Sequence, residues 1–246
     1  MSENSYKEIS KFYDVMHSDK DYSHEADCIK AYVDRYSNFL KVRSILDFGC
    51  GTCSHLSFLI DKKEAVGIDI CPEMISKASV KNIKNLELYN CNIRDFKTNR
   101  TFELCISMFN IFNHFDSLSE LGLAFERISS LLEPGSLFIF DSLNAVAALR
   151  DPPRDRQLEK SIDGKKYLYN SRCSHDLMNS QFTMFNEISF DGLVQEHKLV
   201  QTLWAPKLFS DLLSSNNFKL LNIYKSFTLK EANASDYKIC FVARKR

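Results

Sequence analysis

Short apolar runs and apolar stripes at helical spacing succeed one another along the first 141 residues of this chain. The runs at Ile45-Leu46, 65–68, 86–89, 102–107 and 136–140 are short and rich in β-branched or aromatic residues, so they read as strands. Residues 54–60 follow the first run with helical spacing. Ser117 and Glu120 form a capping box that opens a helix to about Leu132, where Pro134-Gly135 would end it. Strand and helix in alternation predict a parallel sheet with helices on both faces. Upstream, residues 7–13 and 23–39 read as helices, the second with Cys28, Tyr32, Tyr36 and Phe39 on one face. After Asp151-Pro152-Pro153 the period changes. Residues 167–172, 181–190 and 195–204 alternate polar with apolar, and Asp163-Gly164 and Asp191-Gly192 are hairpin signals, which together predict an antiparallel insertion. A helix at 206–215 and a closing antiparallel pair, 219–224 with 237–243, complete a seven-stranded α/β sheet. The expected units are a helical lid (1–40), a core (41–150), a covering β insertion (151–205), and a C-terminal helix and hairpin that finish the core sheet (206–246).

The unit over 45–69 carries the most chemistry. Asp47-Phe48-Gly49-Cys50-Gly51-Thr52-Cys53 turns the chain from strand to helix, and the next strand stops at Asp69. Glycines let the backbone turn sharply and approach a ligand, and an acid at the end of the second strand can accept ribose hydroxyls. An adenosine-containing small molecule is the expected ligand. A dinucleotide turn, G-x-G-x-x-G, demands glycine at position 54, where Ser54 stands. The [DE]-x-G-x-G-x-G turn of class I S-adenosylmethionine (SAM) methyltransferases matches at Asp47, Gly49 and Gly51 and departs at Cys53. Asp47 separates the two, because its carboxylate suits the cationic end of SAM and would repel a pyrophosphate.

Composition narrows the partners. Of the 246 residues, 44% are hydrophobic, enough for a sizeable core. Basic and acidic residues number 32 each, so the chain lacks the basic excess of a nucleic-acid binder. No apolar run approaches the roughly 18–20 residues that span a bilayer, and residues 2–11 lack a signal-peptide core. A soluble cytoplasmic enzyme is expected, with no nucleic acid and no membrane as partner. Cys50 and Cys53 have redox-pair or metal-pair spacing, yet no second pair or histidine cluster accompanies them. The eight cysteines are expected as buried thiols, and no metal is expected. Asp151-Pro152-Pro153-Arg154 is similar to the D-P-P-Y motif of amino-methylating DNA enzymes, but it follows the fifth strand and lacks the aromatic, so it reads as a rigid loop.

Further segments extend the resemblance. Ile70-Cys71-Pro72-Glu73-Met74 through Ala78 resembles the x-S-P-x-M-[IL]-x-x-A run of class I methyltransferases, and Cys91-Asn92-Ile93-Arg94-Asp95 resembles their G-D-[MI]-R-D. Phe12-Tyr13-Asp14, Asp19-Lys20-Asp21-Tyr22, Glu25-Ala26, Met108-Phe109 through His114, and Glu133-Pro134-Gly135 through Asp141 resemble a narrower bacterial group. It comprises nucleotide-linked amino-sugar N-methyltransferases and relatives encoded with surface-polysaccharide genes. The resemblance implies a Rossmann-like sheet and SAM as cofactor. It implies that Asp47, Gly49 and Gly51 hold the amino-acid end of SAM, Tyr22 its carboxylate, Asp69 the ribose with Ile70 beside it, and Met74, Asn92 and Ile93 the adenine. Met108 belongs to the same site. Tyr13 would line the acceptor side, and Phe109 and Phe112 would wall the pocket. His114 follows the fourth strand, at the edge where open α/β sheets bind ligands. It is the candidate to orient or deprotonate the acceptor, the alternative being a histidine that caps the helix after it. The expected activity is methylation of an amino or hydroxyl group of a small molecule, preferably a nucleotide-linked sugar, by a monomer or homodimer. Methylation of a phenolic or other non-sugar metabolite is the second possibility, and SAM binding without turnover the third.

Overall fold

Strands covered on both faces need apolar residues at nearly every position, and the central strands of this molecule have them. β1 (Ser44–Phe48), β2 (Glu64–Asp69) and β4 (Phe102–Ser107) are buried along almost their whole length. The computed structural model describes residues 10–38, 41–162 and 164–246. With β3 (Leu86–Asn90), β5 (Leu132–Leu143), β10 (Phe218–Lys225) and β11 (Lys238–Lys245) these strands form a seven-stranded sheet in the order β10-β11-β5-β4-β1-β2-β3. β1 to β5 run parallel; β11 lies antiparallel between β5 and β10. One face packs Phe112, Phe125, Phe138, Phe140, Phe209 and Phe241 into an aromatic core, with Phe140 stacked on Phe241 at 4.8 Å between centroids. On the other face Ile29 and Tyr32 of the Tyr22–Tyr36 helix are fully buried, Tyr32 stacked on Tyr224 at 4.7 Å.

The strand order reverses beside β1: β2 lies on one side and β4 on the other. That opens a crevice at their C-terminal ends, the ligand position of open α/β sheets. The insertion is a second, antiparallel sheet, β6 (Arg156–Ile162), β7 (Lys165–Asp176), β8 (Gln181–Phe190) and β9 (Leu193–Thr202), paired in sequence order. Ser171 of β7 faces Asn186 of β8, which faces His197 of β9, so one polar row crosses its inner face. Asp191 and Gly192 both take positive φ at the β8–β9 turn, as a tight hairpin requires.

The elements depart from expectation in four places. The expected first helix is a 3-10 turn, Ser10–Phe12, followed by a short helix, Tyr13–Met16, and residues 7–9 lie outside the described residues. The next helix ends at Tyr36, and Phe39 also lies outside them, as does Asp163 of the hairpin pair. The helix capped by Ser117 ends at Ser130, so Pro134 and Gly135 do not stop it; they lie within β5, where the register against β4 shifts. Proline is tolerated in a strand at such an irregularity. β6 has no counterpart among the expected strands, because it has only two apolar residues, the exposed Leu158 and the half-buried Ile162.

Candidate functional site

The glycine turn is built by hydrogen bonds to the end of β2. Gly49 and Cys50 both donate their N–H to the carbonyl of Ile68, at 2.8 and 3.0 Å. Gly49 and Gly51 have φ of +74° and +53°, in the left-handed region. A Cβ on Gly49 would stand 2.6 Å from the Ile111 side chain, whereas one on Gly51 would meet nothing within 4 Å. Cys53, at the family's third glycine position, adopts φ +59° and is wholly buried. Asp69 joins turn to helix: its carboxylate accepts from Gly51 N–H and from Cys71 N–H, each at 2.8 Å. Burial raises the Asp69 carboxyl above its ordinary range, and those amides oppose the rise.

Above the turn lies a cleft of about 930 Å³, its mouth included. Tyr13, Tyr22, Gly49, Gly51, Asp69 and Ile70 line it, as do Met74, Asn92 and Met108. Two expected residues do not reach its surface. Asp47 is 3% exposed within β1, and burial, with the charge of Asp69 adding, pushes its carboxyl up to about 8. Ile93 is turned wholly into the aromatic-side core, and its neighbours Cys91, Asn92 and Arg94 face the cleft instead. Both corrections have one origin: consecutive residues at a strand end or tight turn point to opposite sides, so a motif contributes only some of its side chains.

His114 stands elsewhere. It ends a 3-10 turn, Ile111–His114, and lines a second cavity of about 1670 Å³ between the sheet edge, residues 16–20 and the inner face of the insertion. Burial, with His197 adding, pushes its imidazolium down to about 4, so it is neutral at pH 7. Tyr13 lines the first cleft, its ring 6.4 Å from Phe109. Phe109 lines both cavities and separates them. Its ring packs edge-on to His17 at 4.9 Å, with Lys20 Nζ 4.1 Å and Lys238 Nζ 5.2 Å from its centroid. Phe112, expected in the wall, is instead wholly buried in the aromatic core.

Several residues at the site carry no motif signal. Lys20 Nζ lies 2.8 Å from Glu25 Oε2, and the same oxygen lies 2.7 Å from His55 Nε2. Burial alone would raise the Glu25 carboxyl; His55 and Lys20 outweigh it and hold the group below its usual range. Asp14 accepts from the Thr52 hydroxyl at 3.0 Å, which ties the Tyr13–Met16 helix to the glycine turn. Lys160 of β6 donates to the carbonyl of Met16 and the carboxylate of Asp19, each at 2.5 Å, tying the same segment to the insertion. The polar spacing of the Asp14–Lys20 segment offered no periodicity to reveal these bonds; they follow from tertiary contact. Among the described residues no cluster of three or more metal-ligating side chains occurs, and no helix is long and apolar enough to cross a membrane.

A doubly wound sheet of this order, with a glycine turn and a strand-end acid at its switch point, is a Rossmann-like frame for a nucleoside-containing ligand. Residues 45–135 match the family model described as a methyltransferase domain. The chain is 33% identical over 137 residues to the dTDP-3-amino-3,6-dideoxy-alpha-D-glucopyranose N,N-dimethyltransferase of Streptomyces fradiae, a match covering 54% of this chain and 52% of that one. It is 30% identical over 140 residues to the dTDP-3-amino-3,4,6-trideoxy-alpha-D-glucopyranose N,N-dimethyltransferase of Streptomyces venezuelae, covering 52% and 58%. The chain thus spans about half the length of the curated relatives it matches. In fold it is similar along its whole length to a solved S-adenosylmethionine-dependent methyltransferase of Clostridium acetobutylicum. The TM-score is 0.80 at 21% identity, over 98% of this chain and 99% of the other.

Proposed function

We propose that this protein transfers a methyl group from SAM to an amino group of a nucleotide-linked sugar. The observation that carries the proposal is the pair of cavities meeting at Phe109, one suited to the cofactor and the other positively charged. The cofactor side suits SAM in detail. The empty space at the Gly51 Cβ position lets the ligand approach the backbone, Asp69 keeps acceptor capacity at the ribose position, and Met74 supplies an apolar surface for adenine. When bound, SAM supplies an electrophilic methyl group: the acceptor lone pair makes the new bond, the S–C electron pair stays on sulfur, and a proton leaves the acceptor.

On the other side, Lys20, paired with Glu25, Arg154, paired with Asp151, and Arg156 and Lys238 line the cavity with one carboxylate, Asp19, itself bound by Lys160. Such a surface attracts an anionic acceptor, and guanidinium groups suit phosphate oxygens. The two curated relatives act, by name, on dTDP-linked amino sugars, which have that charge and carry an amine. The chain's own residues align the acceptor: methyl transfer is a positioning problem, with reacting atoms held within about 3–3.5 Å. His114, neutral at pH 7, serves best as a hydrogen-bonding partner of the acceptor.

The test is an incubation with SAM and three acceptors: a nucleotide-linked amino sugar, its hydroxyl counterpart, and a phenol, with products read by mass spectrometry. Methylation of the amino sugar is expected. Methylation of the phenol or of the hydroxyl compound, with the amine untouched, would overturn the proposal.

A further inference from the structure

Asn110 is the first side chain beyond Phe109, and it lines the acceptor cavity although it is only 6% exposed. Both residues are left-handed, Phe109 at φ +77° and Asn110 at φ +59°. For a bulky residue such as Phe109 that conformation costs roughly 1–2 kcal/mol and persists only where the surroundings impose it; asparagine enters it more readily. Here the surroundings include Asp141, 1% exposed at the C-terminal end of β5, whose Oδ1 accepts the Asn110 N–H at 2.7 Å. The strain has a consequence for the carboxamide. Asn110 Oδ1 is withdrawn from solvent, and no donor among the described residues reaches it. A buried acceptor left unmade is unfavourable by about 1–3 kcal/mol. A strained backbone at Phe109 and a buried, unpartnered oxygen at Asn110, at the junction of two cavities, mark a place where a ligand donor would be accepted.

We propose that Asn110 Oδ1 accepts an N–H of the acceptor amine and so turns the nitrogen lone pair toward the cofactor cleft; this rests on the amine-methylating function proposed above. A neutral amine on carbon has two N–H donors and one lone pair, so fixing a donor direction restricts where the lone pair can point. The uncharged carboxamide suits that task. A carboxylate in its place would favour the ammonium form, which has no lone pair to react. Lys238, beside Phe109, acts in the same sense by disfavouring a further cation; Lys20 is paired with Glu25, and the Asp141 carboxyl below Asn110 is raised by burial. No bond to Asn110 forms or breaks. The amine keeps its protons while the new C–N bond forms, and the resulting ammonium loses one to water.

Two substitutions separate this role from a structural one. Asn110→Gly removes the carboxamide and accepts the left-handed backbone without strain; Asn110→Asp keeps an oxygen and also tolerates that backbone. Steady-state kinetics with a nucleotide-linked amino sugar are measured over pH, alongside calorimetric affinity of the S-adenosylhomocysteine-loaded protein for that compound and its hydroxyl counterpart. For Asn110→Gly, kcat should fall roughly ten- to hundredfold, as for a misplaced reactant. The preference for amine over hydroxyl in binding should vanish, with S-adenosylhomocysteine affinity unchanged. Asn110→Asp should keep the amine preference and shift the rate maximum to higher pH. A wild-type enzyme active on the amine, with Asn110→Gly matching it in kcat and in amine preference, would overturn the inference alone. A wild-type enzyme inactive on every amine would overturn both it and the proposed function.

Discussion

Gly49 and Gly51 share a left-handed backbone but not a neighbourhood, and alanine should distinguish them. Gly49→Ala drives a methyl to 2.6 Å from Ile111, adding overpacking to strain. A stability loss of about 2–4 kcal/mol is expected by denaturant unfolding. Gly51→Ala meets no atom within 4 Å, so about 1–2 kcal/mol of backbone strain is the whole penalty. Its methyl enters the cofactor cleft, and S-adenosylhomocysteine affinity should fall at least tenfold in calorimetry. Equal stability in the two variants would contradict this division. Asp47 makes a different prediction. Its carboxyl is raised from 3.8 to about 8 in the folded state, so between those values the folded protein holds a proton that the unfolded chain has lost. The stability this group contributes is complete below its unfolded pKa and disappears as pH rises through about 8. From pH 4 to 8 the wild type should therefore lose melting temperature relative to Asp47→Asn; parallel curves would contradict it.

At the scale of elements, the 3-10 turn after β4 is held by one side chain. Asn113, wholly buried, accepts from Ser142 Oγ and Leu143 N–H, each at 3.0 Å, and donates to the Thr202 carbonyl at 2.7 Å. It fastens the turn to β5 and to the end of β9 together. Asn113→Ala strands those groups and should destabilise the protein by about 2–4 kcal/mol, measured by urea unfolding. A loss under half a kilocalorie would show that water replaces the amide without penalty. The same turn shows what the sequence made legible. Ser117 accepts from Glu120 N–H as the capping box foretold, because a cap is a local rule. The placement of His114 in a separate cavity was not legible, since it depends on the insertion that covers it. Nor was β6, whose alternation is too weakly apolar to stand apart from a solvated loop. Pro134-Gly135 misled by the same logic: a sound helix stop in isolation, it became a strand irregularity because Ser130 had already ended the helix.

Across the whole molecule, the seven-stranded sheet supplies one cavity and the insertion roofs the other, while the segment from Tyr13 to Lys20 closes over their boundary. The cofactor half centres on a contiguous strand–turn–helix–strand stretch: of its ten expected residues all but Asp47 and Ile93 line the cleft, and Gly49, Gly51, Asp69, Ile70 and Met74 come from that one stretch. The acceptor half draws on residues 16–20, 109–114, 153–201 and 237–238, distant in sequence, and its charge and its orphaned oxygen emerge only when these meet. The central claim is that a methyl group crosses at Phe109 from one cavity to a nitrogen in the other. Its most direct test is transfer of an isotopically labelled methyl group from SAM to a nucleotide-linked amino sugar, with the label located by nuclear magnetic resonance. The label should appear on the sugar nitrogen. Label on an oxygen, or no label on the sugar while S-adenosylhomocysteine still binds, would contradict the claim.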